Sequence, residues 1–120
     1  MEQMEDNISY MKEFKPLSKK EQEAVQKVCK VFKELDLIPC TACQYCVEGC
    51  PKKIPIPALF ADMNGKIVYK SGNSGWYYEV HTKQAGKASD CIKCGKCEKS
   101  CPQHLKIREL LQKVADEFEK

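Results

Sequence analysis

Cys40-Thr41-Ala42-Cys43-Gln44-Tyr45-Cys46-Val47-Glu48-Gly49-Cys50-Pro51 is followed 51 residues later by Cys91-Ile92-Lys93-Cys94-Gly95-Lys96-Cys97-Glu98-Lys99-Ser100-Cys101-Pro102. Both stretches spell C-x2-C-x2-C-x3-C-P, a spacing by which thiolates hold [4Fe–4S] clusters. Three cysteines on one turning loop can cap three corners of a cubane. The proline then redirects the chain, because its ring fixes φ and removes a donor. In two-cluster proteins the fourth cysteine of each run ligates the other cluster. The expected ligand sets are therefore Cys40, Cys43, Cys46 and Cys101 for one cluster, and Cys91, Cys94, Cys97 and Cys50 for the other. Eight of the nine cysteines are used in this way.

Two other readings of the cysteines are weaker. Zinc takes four ligands in a tetrahedron, which two C-x2-C pairs could supply. Each run here carries a third cysteine and a Cys-Pro that zinc does not require. A disulfide framework needs an oxidising compartment, yet Met1-Glu2-Gln3-Met4-Glu5-Asp6 has no signal-peptide character. No apolar stretch approaches a membrane span. A reduced, cytoplasmic setting is expected. Cys29 lies in Val25-x2-Val28-Cys29-x2-Phe32, where a thiol on an apolar helix face acts as a small hydrophobe. His81 and His104 each stand alone in their segments and are expected at the surface or behind the ligands.

Leu, Ile, Val and Phe make up 25 of 120 residues, close to the one-fifth level below which a core becomes hard to build. Metal binding should accordingly supply much of the folding free energy, leaving an apo chain largely unfolded beyond its terminal helices. The net charge is +3. Lys52, Lys53, Lys93, Lys96 and Lys99 look like counter-charge to anionic clusters, and no basic stripe with interleaved aromatics suggests nucleic acid.

Three parts follow one another. In residues 1–36, a helical extension, Ser18-x-x-Glu21 has capping-box spacing. It opens a helix with an apolar stripe of Ala24, Val25, Val28, Val31, Phe32 and Leu35, bounded by Pro16 and Pro39. Residues 37–120 form a dicluster unit with an internal repeat, 38–60 and 89–111. Ile54 pairs with Leu105, Ile56 with Ile107, Leu59 with Leu110 and Phe60 with Leu111. Each run thus leads through a turn into an amphipathic helix, clearest in Ile107, Leu110, Leu111, Val114, Ala115 and Phe118.

Between the repeats, residues 56–69 read as a helix that could break at Asn64-Gly65, with Lys66–Lys70 as an alternative short strand. Ser71-Gly72-Asn73-Ser74-Gly75 reads as a turn. Trp76-Tyr77-Tyr78-Glu79-Val80-His81 reads as a further helix, its aromatics expected to pack over the clusters. The fold class expected is all-α, an α-helical ferredoxin-type module holding two [4Fe–4S] clusters.

Ile38-Pro39-Cys40 through Cys46, Cys50-Pro51 with Ile54-Pro55-Ile56-Pro57, and Cys91 through Cys101-Pro102-Gln103-His104 resemble the C-terminal segment of iron–sulfur-containing aldo/keto reductases. Glu2 to Asn7, Pro16-Leu17-Ser18 and the helix after them resemble the last elements leaving that family's barrel. The resemblance implies an NADP-binding (β/α)8 barrel as the partner domain. A chain of 120 residues is too short to contain a barrel of about 250 residues, so no catalytic residue is carried over, and NADP belongs to the absent barrel. The expected function is an electron-transfer module of such an oxidoreductase, with a redox protein as a further partner and neither nucleic acid nor membrane. The alternatives are a structural cluster domain without redox turnover and a zinc-binding interaction module.

Overall fold

The computed structural model describes residues 1–120 except Glu13 and Ser71. Among the described residues the chain is all-helical and contains no strand. It divides into two compact units, Met1–Glu34 and Leu35–Lys120.

The first unit consists of α1 (Glu2–Lys12) and α2 (Lys19–Glu34). The capping box forms as the spacing predicts. Ser18 N–H donates to Glu21 Oε2 at 2.8 Å, and Glu21 N–H donates to Ser18 Oγ at 3.4 Å. No residue of either helix is buried. Val25, Val28, Val31 and Phe32 stay half or more exposed within the unit. Cys29 is likewise exposed, so its reading as a packed hydrophobe is corrected: nothing in this unit covers the stripe on which it sits.

The second unit is built on the repeat. The short helices α3 (Tyr45–Glu48) and α6 (Lys96–Lys99) start at positions 51 apart, as do the long helices α4 (Ile56–Tyr69) and α7 (Ile107–Phe118). The backbone repeats as faithfully: Ala42, Gln44 and Lys53 have φ of 54°, 69° and 53°, and Lys93, Gly95 and His104 have 56°, 75° and 51°. Left-handed residues curl each cysteine run into a loop, and successive amides in such turns can form a concavity suited to anionic sulfur. Strain at the non-glycine positions is accepted in both halves alike, which marks it as required by the loop.

The core lies between the two long helices and the loops. Phe60, Ile54, Ile56, Leu59, Ile107, Leu111 and Val114 are essentially inaccessible. Burying each such side chain contributes about 1.5–3 kcal/mol. This i, i+3, i+4, i+7 pattern on α4 and α7 explains why both are helices. α4 runs unbroken through Asn64-Gly65 to Tyr69, so neither the break nor the strand occurs; Lys70 ends it in the left-handed region at φ 48°.

Residues 73–75 belong to α5 (Asn73–Thr82), and the proposed turn survives only at Gly72; Ser71 lies outside the described residues. α5 packs on α4, and Tyr78 stacks on Phe118 with centroids 4.9 Å apart. A single 3-10 turn, Ala88–Asp90, leads into the second cysteine run. Gly86 lets this segment approach the first half, with its N–H donating to Lys53 O at 3.3 Å. A Cβ there would stand 2.2 Å from Lys52 O.

Candidate metal centre

Eight thiols gather around two cavities. Cys40, Cys43 and Cys46 line the first, and Cys101 joins them from the other run. Cys91, Cys94 and Cys97 line the second, and Cys50 joins them from the first run. The two are nearly equal in size. Ile56 lines both and is the common wall. The chain path explains the exchange. Pro51 and Pro102 follow the fourth cysteines into turns, so Cys50 and Cys101 face away from the loops that precede them.

The thiols match pair by pair in exposure. Cys46 and Cys97 are buried, Cys43 and Cys94 exposed, and Cys40, Cys50, Cys91 and Cys101 between. All are free thiols. Burial pushes the Cys46 thiol up to about 11, outweighing a hydrogen bond to its own backbone that acts the other way. Burial raises Cys97 in the same direction. Such thiols ionise when a cation offsets the lost hydration, so loading with iron would release protons. Among the described residues no three His, Cys, Asp or Glu side chains gather at the spacing of a single ion. The thiols ring their cavities instead, an arrangement matched to a cluster with separately capped corners. Donor type, number and placement therefore fit a [4Fe–4S] group at each cavity.

Apolar side chains complete both walls. Phe60, Leu105 and Ile107 line the first, and Ile54 and Leu111 line the second. The lysines are placed unevenly. Lys52 and Lys96 line the second cavity, whereas Lys53, Lys93 and Lys99 line neither. The aromatic stretch of α5 also lines neither, which corrects the expectation that it covers the clusters. Trp76 and Tyr77 are half exposed or more, and Tyr78 is turned to Phe118. The physical reason is that α4 offers α5 its opposite face.

Two ties outside the cysteine runs hold the loops. Ile38, two residues before the first cysteine, exchanges a pair of 2.8 Å hydrogen bonds with the Asn64 side chain on α4. Ser89, the equivalent position in the second half, donates its N–H to Glu119 Oε1 at 3.0 Å and its hydroxyl to Glu119 Oε2. The Tyr78 hydroxyl donates to the same carboxylate and accepts from Ala88 N–H at 3.0 Å. Burial works to raise the Glu119 carboxyl, but hydrogen bonds from Ser89 and Tyr78 outweigh it and hold the group below its ordinary value. Burial pushes the Tyr78 phenol strongly upward, so it remains a donor.

The histidines lie apart from the thiols. His81 Nδ1 sits 2.8 Å from Asp62 Oδ2, joining α5 to α4, and His104 occupies an exposed left-handed turn position. Neither lines a cavity. No described helix is long and apolar enough to cross a membrane.

Residues 39–106 match the 4Fe-4S dicluster domain family, and the chain belongs to it. It is 28% identical over 76 residues to the alpha 1 subunit of the acetyl-CoA decarbonylase/synthase complex of Methanosarcina acetivorans, covering 63% of this chain and 8% of that subunit. It is also 28% identical over 87 residues to the ketoisovalerate oxidoreductase subunit VorC of Methanothermobacter marburgensis, covering 72% of this chain and 91% of VorC. The chain thus spans a small fraction of the first relative and most of the second. No solved structure matches it. The chain is an iron–sulfur domain similar to a subunit of a decarbonylase/synthase complex and to an oxidoreductase subunit, and neither relative is an aldo/keto reductase.

Proposed function

We propose that this dicluster domain carries electrons one at a time for a larger oxidoreductase. In this reading Cys40, Cys43, Cys46 and Cys101 hold one [4Fe–4S] group, and Cys91, Cys94, Cys97 and Cys50 hold the other. The observation that carries it is the division of eight thiols into two matched cavities separated by Ile56. Each bound group would supply reversible one-electron chemistry. The protein's part is to present four thiolates to each site, keep the sites adjacent, and exclude water with Phe60, Ile54, Leu105, Ile107 and Leu111. The buried cysteines favour cluster over solvent, and the exposed Cys43 and Cys94 leave each site an edge that a redox protein could approach.

The catalytic body served is, in this proposal, an aldo/keto reductase-type barrel with NADP bound there, for which the residue words flanking both cysteine runs argue. The curated relatives support the wider statement that such domains serve oxidoreductase assemblies, because one is a subunit of a decarbonylase/synthase complex and the other an oxidoreductase subunit. A reduced, cytoplasmic location suits the free thiols.

The test is anaerobic iron and acid-labile sulfide analysis of the chain, followed by reduction with dithionite. About eight of each per chain, with reversible bleaching of the visible absorption, is the expected result. Zinc without sulfide in anaerobically prepared native protein would overturn the cluster reading. Clusters that resist reduction would leave them a structural role alone. Joining the chain to an aldo/keto reductase-type barrel tests the partner: with a flavin added to collect two single electrons from the reduced domain and a proton from water, and to pass them as hydride to NADP+, NADPH should form, and no NADPH rejects that partner.

A further inference from the structure

The two cavities are near copies in shape and unlike in charge. Ten of the twelve positions lining the first correspond to positions lining the second when 51 is added or subtracted. Cysteine exposure also matches pair by pair. Ligand type and cysteine exposure are therefore balanced, which removes two of the factors that separate cluster potentials; the walls differ at Thr41 against Ile92 and at Gln44 against Gly95, none of which carries a charge. Charge remains. Where the first cavity has Gln103, the second has Lys52, and the second adds Lys96, whose counterpart Tyr45 lines nothing. The first cavity is lined by no charged side chain. Arg108 lies beside Gly95 of the second cavity, but Glu98 accepts from its Nε at 2.8 Å and neutralises it. The two lysines are the uncompensated difference.

Resting on the ligand sets proposed above, we propose that Lys52 and Lys96 make the Cys91, Cys94, Cys97 and Cys50 site the first of the two to accept an electron. Reduction adds one negative charge and breaks no bond. The electron comes from a low-potential one-electron donor, and no proton need move. A positive side chain at the wall stabilises the added charge, so the lysine-lined site is the easier to reduce. The amides of Gln44 and Gln103 at the first site contribute only dipoles against two full charges. Both lysines are exposed, so salt weakens their effect without abolishing it at contact range. The consequence is directional. An electron settles on the second site and reaches the first only when the pair is driven to full reduction.

The experiment is potentiometric EPR on the full chain, loaded anaerobically, with iron and sulfide measured on every sample. The wild-type protein should show two one-electron steps whose equilibrium constants differ at least tenfold, about 59 mV. Lys52→Gln with Lys96→Gln should bring the two steps together by lowering the upper one. Gln103→Lys should raise the lower step and leave the upper one in place. High salt should narrow the wild-type gap. Two equal steps in the wild type, an unmoved upper step in the double variant, or a Gln103→Lys shift confined to the upper step would each overturn the assignment. A chain without eight iron and sulfide fails the earlier cluster reading instead, so the two failures are told apart. Gln103→Lys alters an exposed residue and keeps the proposal testable if the double variant folds poorly.

Discussion

The two halves of the dicluster unit share a backbone and differ in how they fasten it. In the first, the neutral amide of Asn64 holds Ile38; in the second, the carboxylate of Glu119 holds Ser89 and draws in Tyr78. Asn64 is eight residues into α4 and Glu119 twelve residues beyond the start of α7. The second tie thus comes four residues later than the counterpart of Asn64, Ala115, from the residue that ends α7. What must be conserved between copies is the path of the cysteine loop, visible in the repeated left-handed residues. The chemistry of the fastening is free to change, provided the N–H of the residue two before the first cysteine finds an acceptor, Asn64 Oδ1 for Ile38 and Glu119 Oε1 for Ser89.

The sharpest way to break the equivalence is to remove one exchanged ligand. Cys50→Ser should damage the site built on Cys91, Cys94 and Cys97, and Cys101→Ser should damage the one built on Cys40, Cys43 and Cys46. Iron content and EPR of proteins made without oxygen would show which cluster is lost. If each substitution disturbs the cluster of its own run, the crossed sets are wrong while the inventory of eight ligands stands.

The walls come next. Phe60→Ala empties a fully buried position beside the first cavity and should cost about 3–5 kcal/mol; Leu111→Ala, its counterpart beside the second, should cost about 2–5 kcal/mol. Denaturant unfolding of the holo-protein measures both. Equal loss of both clusters in each variant would mean that the common wall transmits the damage, and would make the unit fully cooperative.

Gly86 offers a one-sided perturbation. Gly86→Ala places a methyl 2.2 Å from Lys52 O, so the backbone must shift, at about 1–3 kcal/mol. Lys52 lines only the second cavity. The expected outcome is a disturbed second cluster and an intact first, read by EPR. An unchanged melting profile would show that the segment after α5 moves freely.

These residues also mark what could be read in advance. Spacing alone carried the doubled architecture, both long helices and the eight cysteines that line the two cavities, because cysteine spacing and helical periodicity are local properties of the chain. The fastenings were not legible. Asn64 looked like a helix break because it precedes Gly65, yet its amide is spent on a residue 26 positions away. Tyr78 stood in an aromatic run with Trp76 and Tyr77, and only its hydroxyl, bound to Ala88 and Glu119, sets it apart. Glu119 is one acidic residue among 17. The 51-residue offset was the one signal able to find them, since it pairs Ile38 with Ser89 and asks what holds each. For the stripe on α2 periodicity was correct and burial did not follow, because the first unit contains nothing to cover it.

The smallest effect expected is in the dependence of the two fastenings on pH. Hydrogen bonds from Ser89 and Tyr78 hold the folded Glu119 carboxyl below its ordinary value of 4.5. A depressed carboxylate contributes stability that is present above the unfolded value and is lost as pH falls through the folded one. Acidification from pH 6 to below 4.5 should therefore loosen the segment before Cys91, while the segment before Cys40, held by an amide that does not titrate, keeps its protection. Glu119 is half-buried and its charge is partly screened by solvent, so the change should be a modest fraction of the total stability. Hydrogen exchange of peptides spanning Ile38 and Ser89, corrected for intrinsic rates, measures it. Glu119→Gln should lose the pH response and leave the Ser89 segment weakly protected throughout, because an amide offers one acceptor where the carboxylate serves three donors. Parallel loosening of both segments in the wild type would assign the acid response to the loss of the clusters and remove the distinction between the two fastenings.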